Sequence, residues 1–354
     1  MNTNGTELTP VLSIRDVTRQ FGGKRRFLAP KTPVIHAVNG VSLDLARGDS
    51  LGVVGESGCG KSTLARMIMG IIPPSSGSIT LDGVDITGVS GEQRRQLYRR
   101  LQFVFQDPTS SLNPRKTVRE ILEAPMRKLL NLTQNQRDAK VLELMDRVNL
   151  RAEFLERNPH EFSGGQAQRI GIARALAVDP EILILDEPVS ALDVSIQAQI
   201  LELLKQLKRD LGLTYLFISH DLAVVDYLCD RVAVMYLGSV VEQGTAEEIF
   251  TSPRHPYTHT LLESVPEPGR QAPTRADLGG ELPDPTNLPP GCPFSPRCYR
   301  AEEKCRSSQP PLTAWSQTPT PHRAACFFGD DPQPPPGATA PGATPPGAGV
   351  KNGV

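Results

Sequence analysis

No uninterrupted apolar run in the 354-residue chain approaches the ~18 residues that a bilayer-crossing helix needs, so a membrane role has to come through a partner. The opening MNTNGTELTP lacks both the basic patch and the apolar stretch of a secretory leader, and the expected place of work is the cytoplasm. A basic excess is missing as well. Lys+Arg number 38 against 39 Asp+Glu, a formal net charge of −1, which argues against a general nucleic-acid binder. No repeat of roughly 20–50 residues recurs, so a solenoid is not expected. What the chain does have is proline, unevenly spread: 22 of 33 prolines lie from Pro253 onward.

That shift divides the chain into an expected domain over 1–252, a Pro-rich and cysteine-bearing extension over 253–329, and a tail over 330–354. The tail has almost no large apolar residue and is read as disordered, because it cannot bury enough surface to offset chain entropy. Before residue 250, the segments Leu12–Val17, Ser42–Leu45, Ser50–Val54, Ile79–Leu81, Leu101–Phe105, Ile182–Leu185, Tyr215–Ser219 and Val232–Tyr236 read as strands. Leu64–Ile71, Ala167–Ala177, Ile196–Asp210 and Leu222–Cys229 read as helices, and Val118–Leu150 as a charged helical block. Strands alternating with helices predict an α/β sheet covered on both faces, interrupted by a helical subdomain over about 107–177.

Three short segments carry chemistry. Gly55-Glu56-Ser57-Gly58-Cys59-Gly60-Lys61-Ser62-Thr63 follows an apolar strand and precedes a helix, the context of a nucleotide-phosphate loop. Glycines let successive N–H groups converge on one anion, the helix N-terminus adds its positive end, and Lys61 brings a point charge to the terminal phosphates. The Ser62 hydroxyl suits Mg²⁺, a hard ion that takes oxygen ligands. Cys59 inside the loop reads as a small filler or as a redox switch. The second segment, Ile182-Leu183-Ile184-Leu185-Asp186-Glu187, is a buried strand ending in two carboxylates. Asp186 can support the metal, and Glu187 can orient or deprotonate an attacking water. Third, Phe162-Ser163-Gly164-Gly165-Gln166 stands before a helix and makes another anion-binding turn. One sheet has no evident use for two phosphate cradles on one γ-phosphate, whereas two chains facing each other do.

Taken in order, these segments make residues 12–250 resemble the ATPase subunits of ABC transporters, a P-loop NTPase fold with a helical subdomain. SGGQ over 163–166 resembles that family's signature, Ser190 to Asp193 its D-loop, Gln106 in FVFQDP its Q-loop and His220 in FISHD its switch histidine. Ala167 departs from the charged or amide residue common after the signature. The resemblance implies ATP and Mg²⁺ at a head-to-tail dimer interface. Gly55, Ser57, Gly58, Cys59, Gly60, Lys61, Ser62 and Thr63 of one chain would cradle the phosphates. Ser163, Gly165, Gln166 and Asp193 of the other would close over them. Glu187, His220 and Gln106 would be catalytic, with Ser62, Gln106 and Asp186 at the metal. Phe21 would stack on adenine, with Phe27 as its competitor after the insertion at 22–33. With both Glu187 and His220 present, the site is expected to hydrolyse ATP.

Four of the six cysteines, Cys292, Cys298, Cys305 and Cys326, lie in the extension at intervals of 6, 7 and 21. A reducing compartment disfavours disulfides, and the CxxC pairs of a zinc ribbon are absent. Metal ligation is the expectation, by an iron–sulfur cluster or by zinc, with unligated thiols as the third reading. Cys229 is expected to be buried packing. The run Ser252 to Thr258, Gly280 to Pro283 and the cysteines resemble the C-terminal extension of dipeptide/oligopeptide importer ATPases, as does SLNPRKTV over 111–118. That resemblance implies a [4Fe–4S] cluster, two permease subunits, a second ATPase subunit (identical or homologous), a solute-binding protein outside the membrane and no nucleic acid. It also implies a peripheral position on the cytoplasmic face of the membrane. A non-transport ABC protein and a redox-sensing module are the alternatives.

Overall fold

The computed structural model describes residues 10–23, 33–264, 283–315 and 321–330. Phe27, the start of the Gly280–Pro283 run and the expected tail from residue 331 lie outside the described residues. Among the described residues the frame is an eight-stranded sheet. Leu101–Val104, Ile182–Asp186, Thr214–Ser219, Ser50–Val54 and Arg231–Tyr236 lie side by side and parallel. Ser239–Thr245, Arg323–Ala324 and Thr313–Ala314 continue it antiparallel. Near-continuous apolar runs suit strands covered on both faces, and every residue of Ser50–Val54, Ile182–Asp186 and Thr214–Ser219 is buried.

Side chains on these strands alternate between two cores. Leu183, Leu185, Tyr215 and Phe217 face the helical side, while Ile182, Ile184, Leu216 and Ile218 face the other. On that other side lie the helix Lys61–Ile68 and a separate four-stranded antiparallel sheet, ordered Val34–Ala46, Pro10–Gly22, Ser76–Leu81, Val84–Asp85. The sequence pattern marks strands at Leu12–Val17, Ser42–Leu45 and Ile79–Leu81 but neither Val84–Asp85 nor the separation of this sheet from the parallel one. Irregular register between Pro10–Gly22 and Val34–Ala46 breaks the period-two pattern that marks a strand's two faces.

The helical block contains Val118–Leu129, Gln134–Arg147 and Gly164–Leu176, each opened by a capping box: Thr117 with Glu120, Thr133 with Gln136, and Ser163 with Gln166. Beyond residue 252 the chain is more regular than its proline content suggests. His255 caps a helix over Pro256–Glu263, its Nδ1 accepting from the Tyr257 N–H at 3.1 Å, with Pro256 at the first helical position, where a missing N–H costs nothing. The extension is joined to the main sheet through the pairs Glu242–Ala324 and Gln243–Arg323.

Candidate nucleotide-hydrolysis site

In register, Val54 lies beside both Ser219 and Val234, and Asp186 lies beside Ile218. The residues after these strand ends therefore emerge on one edge, the carboxyl edge where open α/β sheets bind ligands. The phosphate loop after Val54 is pressed against backbone. A Cβ on Gly60, whose φ is +108°, would sit 2.1 Å from the Ala37 carbonyl oxygen, and one on Gly55 would sit 2.2 Å from that of Met235. Only glycine fits either place. Lys61 is buried, its Nζ donating to the Gly55 and Glu56 carbonyls at 2.7 and 3.0 Å. Cys59 is buried beside it. Burial pushes its thiol up while the Lys61 charge pulls it down, so the thiolate that a redox switch needs is disfavoured.

Ser62 Oγ donates to Asp186 Oδ1 at 2.9 Å, so the hydroxyl and the strand-end carboxylate converge from two elements. This pair of oxygen donors suits Mg²⁺. Burial raises the Asp186 pKa and the adjacent Glu187 adds to the rise, while Ser62, Arg66 and Lys61 oppose it. Glu187 takes the left-handed backbone conformation, φ +47°, rare for a residue with a side chain. That turn brings its carboxylate between two partners. Oε1 lies 3.1 Å from His220 Nδ1, and Oε2 accepts from Gln106 Nε2 at 2.9 Å. His220 is 55% exposed and Glu187 14%, so the carboxylate is sheltered and the imidazole open.

Other expected site residues stand apart. Ser163 and Asp193 are exposed, Gly165 is buried and Gln166 half-buried. Ser163 Oγ accepts from the Gln166 N–H at 3.4 Å, and Asp193 precedes the helix Val194–Leu211. Among the described residues, none of these four hydrogen-bonds the phosphate loop or Glu187. Phe21 is half-buried in the antiparallel sheet, with the Arg19 guanidinium 4.7 Å over its ring. In the extension, Cys292, Cys298, Cys305 and Cys326 line one small cavity with His255, Phe294, Phe327 and Phe328. Cys229 is buried in the helical-side core.

The family described as ABC transporter matches residues 38–190, and the one described as oligopeptide/dipeptide transporter, C-terminal region, matches 241–305. The dipeptide transport ATP-binding protein DppF of Haemophilus influenzae is 48% identical over 316 residues, 88% of this chain and 95% of that protein. The oligopeptide transport ATP-binding protein AppF of Bacillus subtilis is 47% identical over 322 residues, 90% of this chain and 97% of that protein. The chain belongs to the ATP-binding subunits of ABC transporters. Among solved structures, this ABC ATPase resembles the dimeric post-hydrolysis state of the ATP-binding cassette MJ0796 bound to ADP and phosphate. The TM-score is 0.59 at 28% identity, over 66% of this chain and 98% of that one.

Two residues at the phosphate loop of the ABC ATPase were not singled out from sequence. Tyr257 Oη accepts from the Glu56 N–H at 2.9 Å, and Arg297 Nη1 donates to the Glu56 carboxylate at 3.0 and 3.2 Å. Tyr257 lies in the importer-like run at 252–258, so a signal for it existed. Arg297 carried none beyond its place next to Cys298.

Proposed function

We propose that this chain is the ATP-hydrolysing subunit of a peptide importer, working at the cytoplasmic face of a membrane against two permease subunits and beside a second ATPase subunit. The observation that carries hydrolysis is the double restraint of the Glu187 carboxylate by Gln106 and His220 on the edge where the phosphate loop opens. The C-terminal match over 241–305 and the relatives named for dipeptide and oligopeptide transport support peptides as the cargo class.

In this reading Lys61 exchanges the Gly55 and Glu56 carbonyls for phosphate oxygens, giving up neutral partners for charged ones. Ser62 and Asp186 would hold Mg²⁺, which would neutralise phosphate charge. Glu187 orients the attacking water and draws on its proton, Gln106 reports the state of that centre toward the permease, and His220 fixes the carboxylate and meets the γ-phosphate. Ser163 keeps its hydroxyl proton available, because its oxygen serves as the helix cap by accepting. That proton and the helix N-terminus at Gly164 and Gly165 face the nucleotide of the opposite subunit. Phe21 offers its half-buried ring to the adenine. The test is Glu187→Gln in the assembled transporter. MgATP binding is expected to persist while hydrolysis and uptake of a labelled dipeptide stop. Hydrolysis at the native rate would overturn the catalytic assignment, and uptake of the dipeptide unaffected by loss of hydrolysis would overturn the transport role.

For the extension, the four cysteines suit a [4Fe–4S] cluster, with zinc as the alternative occupant. They line one cavity, and the N–H groups of Arg300 and Phe328 point at the Cys298 and Cys326 sulfurs at 3.4 Å. Among the described residues, no three His, Cys, Asp or Glu side chains are grouped to hold a single ion. A cluster spreads its thiolates over separate iron atoms and so takes wider spacing. Burial raises the thiols to about 11 for Cys292 and about 12 for Cys298, so ligation has to displace their protons. Iron, labile sulfide and zinc measured together on anaerobically purified protein decide it. About four irons and four sulfides per chain are expected. Zinc alone, or no metal, would overturn the cluster.

A further inference from the structure

The segment from Cys292 to Cys298 has two sides. Consecutive turns fold it, with Ser295 N–H donating to the Cys292 carbonyl at 3.0 Å and Arg297 N–H to that of Phe294 at 2.9 Å. On one side Cys292 and Cys298 enter the thiol cavity. On the other, Phe294 packs against Tyr236 and Tyr257, with ring centroids 5.3 and 5.4 Å apart, and Arg297 reaches the phosphate loop. The Arg297 side chain is 4% exposed and Glu56 28%, so the ion pair is sheltered from solvent screening. Arg297 Nη1 also reaches Tyr236 Oη at 3.3 Å. Glu56 is thus held at its carboxylate by Arg297 and at its N–H by Tyr257, both from beyond residue 252.

A carboxylate inside a loop that has to accept a polyphosphate is a liability, since an unpaired negative charge there repels the ligand. We propose that Arg297 is a positioning residue of the ATP site. It neutralises and anchors Glu56, and because it is carried on the turn that holds Cys292 and Cys298, the order of the thiol cavity sets the nucleotide affinity of the phosphate loop. Arg297 is not expected to touch the nucleotide. Its effect passes through Glu56, so it falls on binding rather than on the chemical step.

This inference rests on the phosphate-loop reading, and the experiment separates the two. In full-length protein, MgATP affinity, KM and kcat are measured for Arg297→Ala, Glu56→Gln and the double variant, with Lys61→Ala alongside. Arg297→Ala is expected to weaken MgATP binding and raise KM roughly tenfold with kcat nearly unchanged. Adding Glu56→Gln is expected to restore most of the affinity, which a merely unfolded extension would not do. Cys298→Ser is expected to weaken affinity in the native background and to have little effect in the Glu56→Gln background, the non-additivity of a shared route. Equal weakening by Cys298→Ser in both backgrounds, no rescue by Glu56→Gln, or native affinity in Arg297→Ala would each overturn the inference. Native affinity in Lys61→Ala would overturn the phosphate-loop reading beneath it.

Discussion

In the parallel sheet, Ile182–Asp186 and Thr214–Ser219 bury every residue against two apolar cores, and apart from the Tyr215 hydroxyl, which donates to the Leu204 carbonyl, polar groups stand at the strand ends. In the extension the regular elements are short, and a buried carboxylate on the neighbouring strand Ser239–Thr245 does the holding. Glu242, without exposed surface, accepts from the Arg254 N–H at 2.6 Å and the His255 N–H at 3.0 Å and lies 2.7 Å from His322 Nε2. The sheet distributes its stability over many interchangeable apolar contacts, so its active edge can carry strain such as the left-handed Glu187. The extension adds a few apolar side chains, Tyr257 and Phe294 among them, to the helical-side core and fastens them with polar anchors, and two of its residues end on the phosphate loop. A region built that way is more easily switched than a packed sheet, since removing one anchor leaves others buried without partners.

The two regions are expected to answer single substitutions differently. The largest effect is expected at the strand end. Glu187→Gln should cut hydrolysis about a thousandfold with the melting temperature nearly unchanged, checked by phosphate release and thermal unfolding. Loss of folding instead would mean that Glu187 is a structural member of the sheet. Next comes Glu242→Ala. Breaking a buried charged anchor costs about 4 kcal/mol, expected as early melting of the extension and alkylation of Cys292 and Cys298 while the cassette stays folded. A single unchanged transition would remove the contrast between the regions.

Acid should act on the extension in the same sense. Burial lowers the His255 pKa from 6.5 to about 4, with Glu242 pulling it up and His259 down, and burial lowers His259 as well. The neutral form is therefore the folded one. Its contribution is fully present above pH 6.5 and is lost as pH falls toward about 4, on the order of 3 kcal/mol over that window for His255. Stability followed against pH should fall on the acid side, and His255→Asn should flatten that limb. The smallest effect belongs to the surface. Arg47 bridges Glu181 and Asp82 at 2.6 and 3.2 Å, but it is 55% exposed and Arg100 also holds Glu181. Arg47→Ala should cost less than about 1 kcal/mol in a denaturant titration.

How much could be read in advance follows from the same physics. The parallel strands and the phosphate loop are legible because apolar runs and glycines at fixed spacing are local signals. The strand Ser239–Thr245 was missed because Glu242 and Gln243 interrupt its alternation, and Glu242 is tolerated there only through partners from residues 254, 255 and 322. The helix Gly91–Arg100 was missed because nearly all of it is polar and only Leu97 is buried. The restraint on Glu187 could be anticipated from the family resemblance but not from spacing, since Gln106 and His220 arrive from two other strand ends. Arg297 was invisible for the same reason: its partner Glu56 lies 241 residues away.

In the proposed dimer, one working site draws its phosphate loop from one chain and its signature turn from another. Mixing Lys61→Ala protein with Ser163→Arg protein tests it most directly, at concentrations where native protein hydrolyses ATP. Each variant alone is expected to be inactive. The mixture should recover about a quarter of native activity, because half the dimers are mixed and each of those has one intact composite site. No recovery under those conditions would contradict the shared site.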